Sequence, residues 1–392
     1  MERRRFMRMV GGGTVVAATG AMAACSADYP AAAVAAWQGP DANLDLRRWA
    51  LGCAILAPSP HNRQPWLVDL RQPDAITLQV DRERLLPETD PWFRQIMIGQ
   101  GTFIEALVMA LRERGVAPTL DLFPDGEPGP RTLDDRPVAR IRWRADGPTP
   151  AKDPLFAQLL HRHTAKVEYD TSRAVSASVQ HALGAALTDA SVALGATVEP
   201  QRVAALRTLC IDAARAELLT PRTVMESIHL TRIGPAEIDR HRDGIAINAP
   251  FLRLVDALGG FDRTRPPAPG STAYRQMMDR FEGHSRTAMG FVWLSTPTAQ
   301  HAAAGTTRRA EVSAGRAYMR LQLKATELGL QMHPMSQAPE EFAEMRVHYD
   351  KLHELLVGTP AAMRTVQMFC RIGYSGPVSP TPRRGVDAIL RT

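Results

Sequence analysis

Cysteine is scarce in this 392-residue chain, with four in all, no C-x-x-C pair and no spacing that suits a zinc finger. Cys25 belongs to the N-terminal leader region, which leaves Cys53, Cys210 and Cys370. That odd set excludes a complete disulfide framework, and apolar neighbours mark each as a buried, inert thiol. Charge of one sign is also scarce. The formal net charge of +6 falls to +3 once the four arginines and one glutamate of residues 1–24 are set aside, which gives little basis for nucleic-acid binding. The apolar stretch at 9–24 is too short and too rich in glycine and alanine to be a stable membrane span. No G-x-G-x-x-G follows a strand, since Gly11-Gly12-Gly13 lies in the leader, and no G-x-S-x-G elbow surrounds a serine. What remains is a chain long enough for two domains, with 45% hydrophobic residues to build cores.

Arg3-Arg4-Arg5-Phe6-Met7-Arg8 meets the pattern R-R-x-F-[LM]-[KR] in full and resembles a twin-arginine export signal over residues 1–24. The resemblance implies the twin-arginine translocase as a partner during export. It also implies folding and cofactor loading before export, and a periplasmic or cell-envelope destination. Met22-Ala23-Ala24-Cys25 leaves two processing routes open, acylation of Cys25 or cleavage near Ala24. Residues 25–43, rich in alanine and proline, read as a tether.

Beyond the tether, apolar spacing predicts helices over 44–56 and 102–114, and strands at 67–70, 76–80, 119–123 and 138–143. A second unit is expected from residue 150, after Gly147-Pro148-Thr149-Pro150. It opens with a helix at 155–160 and later has a helix at 314–328 and a strand at 368–372. Alternating strands and helices indicate an α/β or α+β layer fold.

Ala57-Pro58-Ser59-Pro60-His61-Asn62-Arg63-Gln64-Pro65-Trp66 combines φ-fixing prolines with side-chain donors and acceptors, as a ligand loop would. Read plainly, it is a capped helix-to-strand turn. Its A-P-S-x-x-N-x-Q-P-W pattern resembles the corresponding segment of the nitroreductase-like family of FMN flavoproteins. That resemblance implies that Ser59 and Asn62 reach the flavin, with Gln64 and Trp66 shaping the loop. Arg162-His163-Thr164-Ala165-Lys166 resembles the family's R-[RH]-[ST]-x-[RK] phosphate element, with Lys166 where arginine is common. A dianionic phosphate calls for a guanidinium, an ammonium and a hydroxyl close together. Leu328-Gly329-Leu330-Gln331 resembles a helix end whose glycine lets backbone approach the flavin ring, although glycine is also the commonest helix stop. Gly373-Tyr374-Ser375-Gly376-Pro377, followed by Arg383-Arg384, resembles the family's ending, in which a late cation returns to the phosphate. Without that resemblance the two arginines are a basic tail.

The motifs are divided between two halves, 44–149 and 150–392. The first has the ligand loop, but its Leu46-Arg47-Arg48-Trp49 lacks the hydroxyl and third cation of a phosphate element. The second has the phosphate element, but its Leu219-Thr220-Pro221-Arg222-Thr223 has no asparagine or glutamine. This distribution resembles the tandem Acg-like branch of the family. It implies an α+β fold of two pseudo-symmetric halves that share one FMN site, a monomeric pseudo-dimer, with residues 226–286 as a lid. Lid residues would include His229, Arg232, His241, Arg242, Met277 and Met278. The implied activity is two-electron transfer from NAD(P)H or another donor, through flavin N5, to a nitroaromatic, quinone or other small acceptor. The alternative is a protein that sequesters flavin. A serine hydrolase using Ser59 and His61 is a third, weaker reading, because nothing sets a base beside that hydroxyl. No metal site is expected.

Overall fold

The computed structural model describes residues 28–144, 146–299, 305–358 and 363–391. The export signal at 1–24 and the two processing routes at Cys25 fall outside these residues. In chain order the elements are α1 (Ala31–Val34), α2 (Leu46–Ala54), β1 (Trp66–Asp69), β2 (Ala75–Val80), α3 (Arg94–Glu113), β3 (Thr119–Leu122) and β4 (Ala139–Arg142). They continue with α4 (Val179–Gly184), β5 (Ala193–Thr197), α5 (Pro200–Leu219), α6 (Pro221–His229), β6 (Thr231–Ile233), α7 (Gly234–His241), β7 (Ile245–Ile247), α8 (Pro250–Ala257) and α9 (Thr272–Arg286). The chain closes with β8 (Gly290–Pro297), α10 (Arg308–Glu327), β9 (Gln331–Pro334), α11 (Arg346–Val357) and β10 (Arg364–Gly373).

Two four-stranded antiparallel sheets have orders β1-β2-β4-β3 and β5-β8-β10-β9. In each, one long helix (α3 or α10) joins the second strand to the third, so the second sheet repeats the first sheet's connectivity. The period-2 alternation of β8 sorts its side chains. Phe291 and Trp293 join a core with Leu206, Leu209 and Ala213 of α5, whereas Val292 and Leu294 join one with Leu321 and Ala325 of α10. The largest core surrounds Trp66, Ile76, Leu78, Phe103 and Leu107 and takes in Met319 and Leu323 from α10.

The helices α3 and α10 meet at glycines. Gly101 stands seven residues after Arg94, the first residue of α3, as Gly315 stands seven after Arg308, the first of α10. A Cβ on Gly101 would lie 2.1 Å from the Val312 carbonyl oxygen, and one on Gly315 would lie 2.0 Å from that of Ile98. The contact is reciprocal, since Ile98 and Val312 also hold matching places in their helices. Close approach explains why α3 begins eight residues before the 102–114 helix read from sequence: Gly99 and Gly101, poor helix formers alone, sit inside it.

Two further expectations need correction. Residues 155–160 form not an α-helix but a 3₁₀ turn, Pro154–Gln158, capped by the Asp153 carboxylate accepting from Leu155 N. The 25–43 tether, described from residue 28 onward, is anchored to the body through Ala33 and Trp37, although much of it stays exposed. Trp37 is 9% exposed and donates through Nε1 to Thr381 O at 2.8 Å, while Tyr29 donates to Ala246 O at 3.1 Å. One indole buries apolar area worth about 2 kcal/mol or more, enough to order a short segment.

Helices α5 to α9, with the parallel pair β6 and β7, lie between β5 and β8. They contain the 226–286 insertion and build a small core from Leu218, Val224, Ile228 and Met278. After β10 the chain crosses back to the first sheet, where Arg391 N donates to Val68 O at 2.7 Å and Leu390 bridges Val68.

Candidate functional site

The loop between α2 and β1 has an unusual backbone. His61, Asn62 and Gln64 have φ of 45°, 51° and 50°, left-handed values that cost non-glycine residues about 1 kcal/mol each or more. The surroundings hold them there. Ser59 Oγ accepts from Gln64 N at 2.9 Å, and the Gln64 amide donates to Asn62 O at 3.2 Å and Arg242 O at 2.8 Å. Its oxygen accepts from Arg384 N at 2.8 Å. Arg63 is paired at 2.8 Å with buried Asp243, which also takes Arg84 at 2.6 Å and Arg232 at 3.1 Å. Trp66, fully buried, donates to Gly99 O at 3.2 Å and packs on Phe103 with ring centroids 4.8 Å apart. Loop, insertion and C-terminal arm are thus tied into one unit.

The arm carries Arg383 into the interior. Its guanidinium donates to Asn62 Oδ1 at 2.9 Å, Thr381 Oγ1 at 2.6 Å and Leu56 O at 3.2 Å. Arg162 donates to the same Leu56 carbonyl at 3.1 Å. Both guanidiniums flank Trp37, at 4.9 Å and 5.6 Å from its ring centroid, and the His163 ring lies 4.5 Å from it. Neither arginine has a carboxylate partner among the described residues, and the Nε of each is buried with no partner. Burial pushes Arg162 down to about 10 and holds Arg383 well below the usual guanidinium range, where the Arg162 charge lowers it further.

A cavity of about 740 Å³ opens beside this pair. Ser59, Asn62, Thr164, Lys166 and Arg383 are on its wall, so five of the residues singled out from sequence meet at one place. Lys166 keeps accessible side-chain surface, yet surrounding protein desolvates its amine and, with the nearby Arg280 cation, pushes it down to about 8. Ser59 accepts through Oγ, which leaves its O–H for the cavity. The Asn62 amide also donates to Pro382 O at 3.0 Å, so both ends of that side chain hold the arm.

The other residues expected to hold the cofactor do not line the cavity, although His61 of the hydrolase reading does. Gln64 and Arg384 brace the loop. Arg162 and His163 sit behind the wall against Trp37, with Arg162 reaching Thr164 Oγ1 at 3.5 Å. Gly329 has φ 64° and closes α10, where Leu330 N donates back to Ala325 O at 2.8 Å. Leu330 is 3% exposed among Val292, Leu321 and Ile372. At these two positions the helix stop is what the structure shows.

The insertion supplies much of the remaining wall, including Ile228, Ile245, Phe261, Met277, Phe281 and His284. Met278 turns instead into the insertion's own core, and His229 faces Arg263 O at 3.1 Å. Arg280, His284 and His333 were missed in the sequence. Each lies in a stretch that carries no motif, and only the fold brings them together. Glu217 and Glu340, also on the wall and 3% exposed, are pushed up by burial, Glu217 to about 7. The cysteines Cys53, Cys210 and Cys370 are buried, reduced and pushed upward by burial, Cys53 to about 12, which makes them poor nucleophiles.

No family model and no curated protein matches the chain. Among solved structures it is similar to the FMN-dependent nitroreductase NfnB from Mycobacterium smegmatis in complex with NADPH, at 16% identity and a TM-score of 0.37, over 61% of this chain and 97% of that one. It is also similar to a nitroreductase with bound FMN from Bacteroides fragilis, at 14% identity and a TM-score of 0.32, over 58% and 92%. A nitroreductase-like protein from Bacillus cereus follows at 12% identity and a TM-score of 0.33, over 62% and 97%.

Proposed function

We propose that the chain is an exported FMN-binding oxidoreductase of nitroreductase type, built as two fused halves around one composite site. The observation that carries this reading is the convergence of Ser59 from the first half with Thr164, Lys166 and Arg383 from the second on one cavity. The repeated sheet connectivity and the reciprocal contact at Gly101 and Gly315 support the fusion, because a contact in which each partner offers the same patch is what a two-fold dimer makes.

The residues present fit the cofactor. A cavity of about 740 Å³ is in the range of small-molecule sites. Lys166, Arg280 and Arg383 lack carboxylate partners among the described residues, and Arg383 has an orphaned Nε, a donor set suited to a phosphate dianion. Arg383 and Lys166 would hold the phosphate, with the Thr164 and Ser59 hydroxyls beside them. Arg162, behind the wall, would act by fixing Thr164 and the Leu56 carbonyl. When bound, FMN supplies two-electron transfer between a donor such as NAD(P)H and a nitroaromatic, quinone or other small acceptor. The apolar side chains of Ile228, Phe261, Met277 and Phe281 on the wall would limit water at the reacting centre.

That wall also supports a second reading, in which the insertion closes the cavity and the protein sequesters flavin. The visible spectrum of the purified protein, followed anaerobically as NADPH is added, separates the two. Bleaching of a flavin spectrum is expected for the oxidoreductase, and a spectrum that persists favours sequestration. Absence of flavin, together with no binding of added FMN, overturns both.

A further inference from the structure

Arg371 and His333 are cross-strand partners in the register of β10 and β9. Arg371 is wholly buried, and its Nε donates to His333 Nδ1 at 2.9 Å. Its terminal nitrogens donate to the carbonyls of His284 at 2.9 Å, Val167 at 2.6 Å and Ala165 at 3.3 Å. The guanidinium lies 3.9 Å from the centroid of the Tyr169 ring. None of these partners is a carboxylate. A guanidinium has donors only, so Nδ1 of His333 must accept and carries no proton, which places the imidazole proton on Nε2. His333 lines the cavity, and no described protein group takes that Nε2–H.

We propose that Arg371 locks His333 as a neutral imidazole whose Nε2–H is a standing hydrogen-bond donor to an acceptor oxygen of the cavity's ligand, such as a quinone carbonyl or a nitro oxygen. His333 is then a binding residue that selects oxygen acceptors, and Arg371 is the positioning residue behind it. The charged and titratable groups that face His333 act in the same direction. Burial disfavours a proton on the imidazole most, and Arg371, His284, Lys166 and Arg280 add to it, so its pKa is held well below the ordinary value. Protonation would set a second cation against the guanidinium with no anion to offset it. A general base at this position is therefore excluded. A ligand that meets the ring with a basic amine finds a donor facing a donor and is rejected. The quinone or nitro ligand rests on the oxidoreductase reading, whereas the lock itself depends only on the Arg371–His333 pair and the cavity.

Two measurements on the full chain test it. Two-bond ¹H–¹⁵N correlation spectra of protein labelled at histidine, with His333 assigned by its loss in His333→Phe, are expected to show Nδ1 bare and Nε2 protonated from about pH 5 to about pH 8. A His333 that titrates in that window, or that carries its proton on Nδ1, overturns the lock. Menadione and 2-methylnaphthalene, which lacks the carbonyls, are then compared as ligands. His333→Phe is expected to weaken menadione about tenfold and leave the hydrocarbon unchanged, and equal menadione binding by variant and parent overturns the donor role. Bound flavin, read by absorbance in the same samples, reports separately on the cofactor reading.

Discussion

Asp243 shows how a single residue carries the geometry of the ligand loop. It is 3% exposed and takes three guanidiniums, from Arg63 in the loop, Arg84 in the first half and Arg232 in the insertion. Replacing the carboxylate with an amide of the same shape leaves those three cations without an anion in a poorly solvated place. Breaking a buried pair in this way costs about 3 kcal/mol or more. Asp243→Asn is therefore expected to lower the unfolding free energy by that amount, read as a lower denaturant midpoint at an unchanged m-value, and to weaken FMN because the strained backbone at residues 61–64 relaxes. Lys166 makes a prediction of opposite character. Its amine is pushed down to about 8 in the fold, below the ordinary lysine value, so between those two values the unfolded chain binds more protons and the folded protein gains stability as pH rises. Bound phosphate favours the charged amine. Affinity for FMN is thus expected to fall as pH rises through about 8, a range in which the phosphate stays dianionic. Isotherms for the parent should show that decline, and Lys166→Met should bind more weakly with a flatter profile.

At the scale of elements, the α3–α10 crossing is the test of how closely two backbones must approach. Alanine in a helix ordinarily improves on glycine by about 1 kcal/mol. At Gly101 or Gly315 the added Cβ meets a backbone oxygen near 2 Å, so the helices must separate, and overpacking of this kind costs about 1–3 kcal/mol. Gly101→Ala and Gly315→Ala are each expected to be net destabilising and similar in size, since their contacts are reciprocal. The double variant should cost less than the sum, because one separation relieves both clashes. This crossing also shows what the sequence conceals. Strands β1, β2 and β10 were legible from apolar runs, and the loop at 57–66 from its turn residues. The first turns of α3 were not, because glycine reads as a breaker until its partner helix is known. Trp37 looks like part of a tether in sequence because its partners, Thr381, Arg162 and Arg383, are remote in the chain. The Arg162 motif was legible, but not that Arg162 and His163 face Leu56 and Trp37 while Thr164 and Lys166 face the cavity. Gly329 and Leu330 match a flavin-contact pattern that a helix stop satisfies equally well.

For the whole molecule, the repeated architecture raises the question of how many sites one chain holds. Arg94 and Arg308 open the two matching helices, and both are buried, but their surroundings differ. Arg94 is on the cavity wall, paired with Glu341 and donating to Pro339 O and Gln367 O at 2.6 Å each. Arg308 is enclosed instead by the first half's own loops. It donates to Trp92 O at 2.8 Å and Gly129 O at 3.2 Å, and it pairs with Glu311 at 2.9 Å. Where the second half leaves space, the first half has filled the matching position with chain. The cations follow the same division, since Lys166, Arg280 and Arg383 all come from the second half and gather at one cavity. A symmetric pair of subunits would bind two cofactors, one in each equivalent cleft. The fused arrangement we propose would have the donors and the volume for one. Flavin released from the denatured holoprotein and divided by chain concentration is therefore expected to give one FMN per chain, with the chain itself monomeric in solution. Two per chain would mean that the enclosure around Arg308 opens to admit a second cofactor, and the asymmetry between the halves would then be one of conformation instead of construction.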